Sequence, residues 1–169
     1  MAQTFKDYPY NRPDIEAYTR DFKEVIARFE AADTVEKQVE ANRGYNKLYA
    51  SFSTQMVLVN IRHSIDTTDE FYKGEKAFMD RNVPVMQQME AAYQRVLVNS
   101  KFRAELEQKW GGQLFALADA AINVFSPDII EDLQLENELS TEYQQLIASA
   151  KIPFEGEDRT LPQLAPFEL

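Results

Sequence analysis

The chain has no cysteine and only one histidine, His63, among its 169 residues. The lack of thiols excludes a disulfide framework, a thiolate metal site and a cysteine nucleophile. A catalytic zinc needs about three protein ligands, and a single histidine would leave a carboxylate-rich set that zinc rarely uses. The di-iron sites of helical bundles use paired Glu-x-x-His motifs, which one histidine cannot supply. We therefore expect no metal site and no cofactor in this chain.

Positive charge is also scarce. The 28 acidic residues outnumber the 18 basic ones and give a formal net charge of -10. Nucleic acids and anionic membranes repel such a surface, so no partner of either kind is expected. No apolar run approaches the roughly 20 residues that span a bilayer, and the segment Met1–Asp7 lacks the apolar core of a signal peptide. With the absence of cysteine, these features favour a soluble, cytoplasmic protein.

Apolar residues recur at helical spacing through most of the chain, and a hydrophobic content of 44% is enough for the core of one domain. Pro13 suits the first turn of a helix that closes near Ala31. Asp33 with Glu36 forms a capping pair that predicts the start of a second helix. This helix would continue for about thirty residues to His63, a length of roughly 45 Å.

A second capping box, Thr67 with Glu70, predicts the start of a third long helix. Its apolar stripe continues to Val96. Pro84 lies inside the stripe and removes one intrahelical hydrogen bond, so we expect a kink there rather than an end of the helix.

Methionines and tyrosines within these stripes have two interpretations each. The methionines could form an adaptable peptide groove, but their helical spacing favours ordinary core packing; they are Met79, Met86 and Met89. The tyrosines are amphipathic and could line a cavity or lie at the edge of a core; they are Tyr45, Tyr49, Tyr72, Tyr93 and Tyr143.

Shorter helices follow the third long one. Ser100 opens a helix that Gly111–Gly112 closes, since glycine adopts the left-handed conformation of a C-cap at little cost. The segment Gln113–Phe125 is more apolar and predicts a deeply buried helix. Ser126–Pro127, an N-cap followed by a proline at the first helical position, predicts a last helix that ends near Ala150.

The sequence thus predicts a mostly α fold, an antiparallel helical bundle with long helices, one kinked near Pro84, and a small C-terminal β-hairpin. The hairpin is placed at Ile152–Leu161, where an acidic turn with glycine separates two short runs. Residues 1–12 would form an extended lead-in, residues 13–150 the helical domain, and residues 151–169 the hairpin and a linker. Because the linker has neither a helix stop nor a charged tail, we interpret it as truncated before a further domain.

A dense polar junction lies between the second and third predicted helices. It contains Arg62, His63, Asp66, Asp69 and Tyr72. Arg62 and His63 fall in the last turn of a helix, where cations oppose the carbonyl end of the dipole. His63 could act as a general base or contact a substrate. A structural histidine, held by the dipole and by Asp66 or Asp69, is the favoured interpretation.

This junction belongs to a set of phrases that follow one another along the chain: YPYNRPD at 8–14, IRHSIDTTDEFY at 61–72, FRAELE at 102–107, SPDIIEDLQ at 126–134 and LIASAK at 146–151. Together they resemble the N-terminal region of the oligoendopeptidase F family, thimet-type zinc metallopeptidases that cut oligopeptides. The resemblance covers nearly the whole chain. The sequence contains no His-Glu-x-x-His, the metal-binding motif on which such an enzyme depends.

The resemblance implies that these helices wall one side of a deep channel whose narrow mouth admits short peptides. This chain would be non-catalytic, its partner would be a missing C-terminal catalytic domain that holds zinc, and the whole enzyme would take oligopeptides as substrate. The residues implied to face the channel are Arg62, His63, Asp66, Asp69 and Tyr72. A face that the catalytic part covers would be apolar and exposed here, and weak self-association would follow.

A free-standing helical domain that binds a protein partner is the alternative, because it would have the same long amphipathic helices and acidic surface. A reading frame that continues past Leu169 to a His-Glu-x-x-His helix would distinguish the two. An independent hydrolase is not expected, because this chain lacks the residues that such an enzyme would need.

Overall fold

A computed structural model of the chain describes residues 5–124 and 126–167. The long helices are α1 (Ile15–Ala31), α2 (Val35–Ile65) and α3 (Glu70–Val98), followed by α4 (Arg103–Trp110), α5 (Gly112–Ile122) and α6 (Ile130–Ser149). Strands β1 (Ile152–Phe154) and β2 (Glu157–Arg159) precede the short helix α7 (Leu161–Leu164), and 3₁₀ turns cover Phe5–Asp7, Pro127–Ile129 and Ala165–Phe167. The prediction of a mostly helical fold with a C-terminal hairpin is confirmed.

Contacts between α1 and α2 show that these two chain neighbours are antiparallel. Near the start of α1, Tyr18 Oη donates to Ser51 Oγ of α2 at 2.7 Å. At the end of α1, the carbonyl of Phe29 accepts from Gln38 Nε2, near the start of α2, at 3.1 Å. The sequence separation of the contact partners thus falls from 33 to 9 residues towards the connecting loop, as in an αα-hairpin. The predicted antiparallel bundle is confirmed.

Two buried clusters fill the space between these helices. The larger centres on Phe29, Tyr93 and Phe115 and joins α1 to α3 and α5. There Tyr45 stacks on Tyr93 with ring centroids 3.8 Å apart. The second cluster includes the three methionines for which core packing was favoured, and that interpretation is confirmed; its members are Phe22, Phe52, Val59, Met79, Met86 and Met89.

The predicted starts of α1 and α2 are each wrong by a residue or more. Asp14 caps α1, its Oδ1 accepting from the backbone N–H three residues on at 3.0 Å, so Pro13 precedes the helix. Thr34, not Asp33, caps α2 and accepts from Lys37 N at 3.3 Å. Asp33 instead pairs with the Lys37 ammonium at 2.7 Å. Adjacent Asp and Thr residues compete for one cap, and spacing alone did not decide between them.

The start of α3 is also displaced from its predicted place. Asp69 is the N-cap, with Oδ1 accepting from Phe71 N at 2.9 Å and from Tyr72 N at 3.2 Å. Thr67, the predicted cap, lies in the turn before it. Two donors at one carboxylate satisfy two of the free N–H groups of the first turn, and the negative charge opposes the helix dipole.

Pro84 is buried inside α3, and the helix continues through it as expected. The kink that we expected at this position stays a prediction. Because proline has no N–H, the carbonyl of Asp80 four residues earlier has no intrahelical donor. Asn137 Nδ2 of α6 donates to that carbonyl at 3.2 Å. One turn away along α6, Gln134 Nε2 donates to the Arg81 carbonyl at 2.6 Å. The proline therefore creates a polar attachment point for α6.

The predicted deep burial of α5 is wrong, because only one side of this helix is covered. Phe115 and Ala118 are buried, whereas Leu117 is 63% exposed. Phe125, the predicted end of this helix, lies outside the described residues. Helix α6 buries only Thr141. We call the outward-facing large residues of these two helices the exposed apolar residues of α5 and α6; they are Leu114, Leu117, Leu135, Leu139, Tyr143 and Leu146.

No single helix in the described parts of the chain is long and apolar enough to span a membrane. In those parts, only α5 and Pro127–Ser149 taken together, across a bend of 63°, have the length and composition of a span.

The hairpin is confirmed at its predicted place, with Ile152 opposite Arg159 and Phe154 opposite Glu157. Glu155 and Gly156 form its turn with φ of 54° and 86°, the left-handed region that a tight hairpin turn needs. The Arg159 guanidinium lies over the rings of Phe154 and Phe167, at 5.4 and 4.6 Å. The segment that we interpreted as a linker contains α7, and at its start Gln163 Oε1 accepts from Thr160 N at 2.9 Å.

Replacing Asp69 with alanine should lower the free energy of unfolding by about 1 kcal/mol, because α3 loses its N-cap. Thr67→Ala should change it far less, since Thr67 does not cap the helix. Urea denaturation of both variants measures the difference. A larger loss in Thr67→Ala than in Asp69→Ala would contradict this placement of the helix start.

Candidate functional site

The corner between α2 and α3 (Arg62–Tyr72) is built around the Arg62 guanidinium. Its Nη1 donates to Tyr72 Oη at 2.8 Å, and its Nη2 donates to the carbonyl of Tyr8 at 2.6 Å. The guanidinium also lies over the rings of Phe5 and Tyr72, at 5.8 and 5.6 Å. Arginine can use its planar face and its fork of donors together. Arg62 thereby joins both helices to the lead-in.

Glu75 fixes the lead-in one turn further along α3. It is 4% exposed and accepts from Arg12 Nε, at 3.0 and 3.1 Å, from Arg12 Nη2 and from Tyr10 Oη. The hydrogen bonds from Arg12 hold the pKa of the Glu75 carboxyl below its usual range despite burial. Burial and the neighbouring carboxylate raise the pKa of Tyr10. Removing either donor would destabilise the fold, because it would leave a buried carboxylate with incomplete compensation of its charge.

The two aspartates of the corner serve its backbone. Asp66 is exposed and accepts from Thr68 N at 2.9 Å and from Thr68 Oγ1 at 2.6 Å. These hydrogen bonds lower the pKa of the Asp66 carboxyl. Asp69 caps α3 as described above. Sequence reasoning placed both residues at the corner, and the structure assigns each a turn or capping contact.

His63 is buried at 2% exposure and points towards α3 and α6. Its Nε2 lies 3.3 Å from Gln145 Nε2 of α6. Burial lowers the pKa of the imidazole, and the positive charge of Lys76 lowers it further, against the opposing effect of Asp80. This position supports the structural interpretation of His63, although its contact is Gln145 rather than the expected Asp66 or Asp69. The ring is thus almost fully covered within this chain, and the expectation that His63 faces a channel stays a prediction.

A buried ion pair beside His63 joins α3 to α6. Lys76 Nζ donates to Asp80 Oδ1 and, at 2.9 Å, to Thr141 Oγ1. Thr141 Oγ1 in turn donates to Asp80 Oδ2 at 2.7 Å. Sequence reasoning missed this cluster. The i, i+4 spacing of Lys76 and Asp80 was a signal for a pair, but nothing in the sequence indicated that Thr141 would bury it.

Several concave surfaces flank the later part of α3. A groove of about 610 Å³ runs between α2, α3, α4 and α5, and its lining includes Tyr45, Tyr93, Trp110, Leu114 and Glu90. A smaller pocket of about 120 Å³ lies between α1, α2 and α3, lined in part by Phe22, Tyr49, Phe52, Met86 and Glu90. Three of the five tyrosines thus line cavities, and buried Tyr93 also belongs to the core.

Within residues 5–124 and 126–167, no group of three or more His, Cys, Asp and Glu side chains could hold a metal ion. The residues present therefore do not fit the zinc site that the resemblance implies for a whole enzyme. Ser64, His63 and Asp66 do not form a Ser–His–Asp arrangement either, because each has another partner. Ser64 Oγ donates to the Asn60 carbonyl at 2.7 Å, Asp66 accepts from Thr68, and the His63 ring contacts Gln145.

His63 predicts a pH dependence of stability. Its lowered pKa means that the folded chain favours the neutral ring, relative to an unfolded value of about 6.5. The contribution of His63 to the free energy of unfolding should be complete above the unfolded pKa. It should be lost as the pH falls through the lower pKa of the folded state. Unfolding free energies at pH 8 and pH 5 should therefore differ more in the parent chain than in His63→Gln, which cannot titrate. Equal differences in the two proteins would contradict the prediction.

Comparisons with known proteins agree with the resemblance seen in the sequence. The family model described as the Peptidase M3 N-terminal domain matches residues 5–125. A structure assigned as an oligoendopeptidase F has 51% identity and a TM-score of 0.95, and the match covers 98% of this chain and 29% of that chain. Another, from Bacillus anthracis str. Ames, has 48% identity and a TM-score of 0.95, with 98% and 30% covered.

Pz peptidase A, solved with an inhibitor, has 51% identity and a TM-score of 0.94, and the match covers 97% of this chain and 29% of that one. No curated protein sequence matches significantly. The chain spans less than a third of the length of these solved peptidases. The family model covers well over half of it, so this chain belongs to the M3 peptidase family and corresponds to its N-terminal domain.

Proposed function

We propose that this chain is the non-catalytic N-terminal wall of the substrate channel in an oligoendopeptidase F-type zinc metallopeptidase that cleaves oligopeptides. The observation that carries the proposal is the match to oligoendopeptidase F structures at about half identity, over only 29% of their length. The remaining part of such a peptidase would be the partner that holds the zinc. The whole enzyme would act in peptide degradation in the cytoplasm, which suits a chain without cysteine.

The α2–α3 corner supports a role as a rigid surface beside a channel. Arg62 ties the corner to the lead-in, and Asp69 fixes the start of α3. Asp66 remains exposed, and Tyr72 is half-buried beside Phe71, which is 57% exposed. Arg62, Asp66, Asp69 and Tyr72 therefore stay candidates to face the channel. His63 would support them from below through its packing against α6.

The exposed apolar residues of α5 and α6 support the proposed partner. Leu139, Tyr143 and Leu146 lie at spacings of three and four on α6, so they share one side of the helix. Each has more than half of its surface exposed. Contiguous apolar surface on a soluble domain commonly marks an interface. A catalytic part that packs on α6 would cover these residues.

The same residues favour the second candidate, a free-standing helical domain that binds another protein. A reading frame that continues from this chain into a His-Glu-x-x-His helix would decide for the peptidase. A natural stop shortly after this domain would decide for the interaction domain.

In a peptidase that contains this domain, Tyr72→Trp should change the preference for peptide length more than the pH profile of kcat/KM. A wall residue shapes binding, whereas a metal and its general base set the proton chemistry. Cleavage of quenched peptides of increasing length measures the preference, with Val57→Trp as a control at an exposed apolar position outside the corner. A catalytic part that keeps full activity and unchanged length selectivity without this domain would disprove the channel wall.

The isolated chain should self-associate weakly through α6. Leu146→Ser should shift the sedimentation-equilibrium mass towards the monomer, since it removes exposed apolar surface. Gln144→Ser, an exposed change on the same helix, should leave the mass unchanged. A parent chain that is monomeric at high concentration would contradict this prediction.

A further inference from the structure

Glu90 of α3 lies where three concavities of the domain meet. It lines the pocket of about 120 Å³ between α1, α2 and α3 and the groove of about 610 Å³ on the side of α5. It also lines a groove of about 510 Å³ between α3, α5 and α6. Among the described residues, Glu90 alone lines all three. A ligand that enters any one of them would approach this carboxylate.

The electrostatic surroundings of Glu90 differ from those of Glu75 and Asp80, the buried carboxylates of α3. Glu75 has Arg12, and Asp80 has Lys76. Glu90 is half-buried and has one weak contact, at 3.4 Å from Gln94 Nε2, and no ion pair with any residue in the described parts of the chain. Burial accordingly raises the pKa of its carboxyl. Carboxylates removed from water usually have a cation as partner.

The walls around Glu90 suit a particular kind of cation. In the smaller pocket, Phe22, Phe52 and Met86 present apolar surface that the aliphatic stem of a lysine or arginine could cover, with its charged head at the carboxylate. Tyr49, which lines this pocket, stacks against Tyr45 with ring centroids 6.1 Å apart, and aromatic faces attract cations. A helix, at roughly 10–12 Å in diameter, could not enter so small a pocket, whereas one extended side chain could.

We propose that the pocket of about 120 Å³ beside Glu90, which we call the Glu90 pocket, is a binding subsite for a basic side chain of an oligopeptide. This inference rests on the proposed function, because it supplies the substrate class that the wall would recognise. Charge complementarity decides the class. The pocket offers one uncompensated carboxylate and apolar walls, so it favours a lysine or arginine over an acidic or neutral polar side chain.

The test uses this chain and three capped pentapeptides, acetyl-Ala-Ala-X-Ala-Ala-amide, in which X is lysine, norleucine or Nε-acetyl-lysine. Two-dimensional amide NMR titration should show shifts at the residues around Glu90, and the lysine peptide should bind roughly tenfold tighter than the norleucine peptide, as expected for a hydrogen bond to a charged group. The preference should increase as the pH rises through the raised pKa of Glu90, because only the carboxylate attracts the cation.

Glu90→Gln should abolish the preference for lysine and leave the fold intact, which the same NMR spectra would show. Glu136→Gln, an exposed change on α6 that removes the same charge, should keep the preference. Loss of the preference in both variants would show that it arises from the net charge of the domain. That result would overturn the subsite.

Two further outcomes would also overturn the subsite without touching the channel-wall proposal. One is equal binding of the three peptides, or the absence of shifts around Glu90. The other is a loss of melting temperature in Glu90→Gln that occurs in a longer chain with a catalytic part but not in this chain, since a basic residue of that part would then occupy the pocket.

Discussion

The attachment of α6 to α3 depends on the carbonyl that Pro84 leaves without a donor. Asn137 supplies that donor, and Thr141 bonds the Asp80 carboxylate beside it. These hydrogen bonds are directional, and α6 adds no fully buried large apolar side chain to the contact with α3. A helix held in this way needs no fully buried apolar stripe, and its Leu135, Leu139 and Leu146 are each more than half exposed. The polar attachment therefore decides which surface is left for a partner.

Helix α3 is the common support of every feature with a candidate function. Its first turn carries Tyr72 at the corner, and its sixth turn carries Glu90, where the cavities meet. Eighteen residues at 1.5 Å each separate them by about 27 Å along the helix. Tertiary contacts from α1, α2, α5 and α6 hold this helix along its length. Two distant parts of the wall thus keep a fixed separation.

Much of the fold could be predicted from periodicity and turn chemistry, since both act locally. The three long helices, the Gly111 C-cap and the hairpin turn at Gly156 follow from such signals. Helix starts were displaced where Asp and Thr compete, as at Asp69. Burial in α5 was overestimated because composition shows that a residue is apolar, not which part of the molecule covers it. Carboxylates such as Glu75 and Glu90 gave no signal, since most acidic residues on helices are solvated.

The carboxylates of α3 are of two kinds: those that pair with a cation of the same chain, and one that can still bind a cation from outside. A charge that a fold pairs internally, as Arg12 pairs Glu75 and Lys76 pairs Asp80, has its attraction already satisfied and serves stability. A half-buried charge with no partner costs stability in the isolated chain, as the raised pKa of Glu90 shows. In a domain with a net charge of -10, a further exposed carboxylate attracts a cation only weakly, because water and salt screen it. Glu90 is instead shielded by apolar walls, so the same charge can attract a cation with more effect.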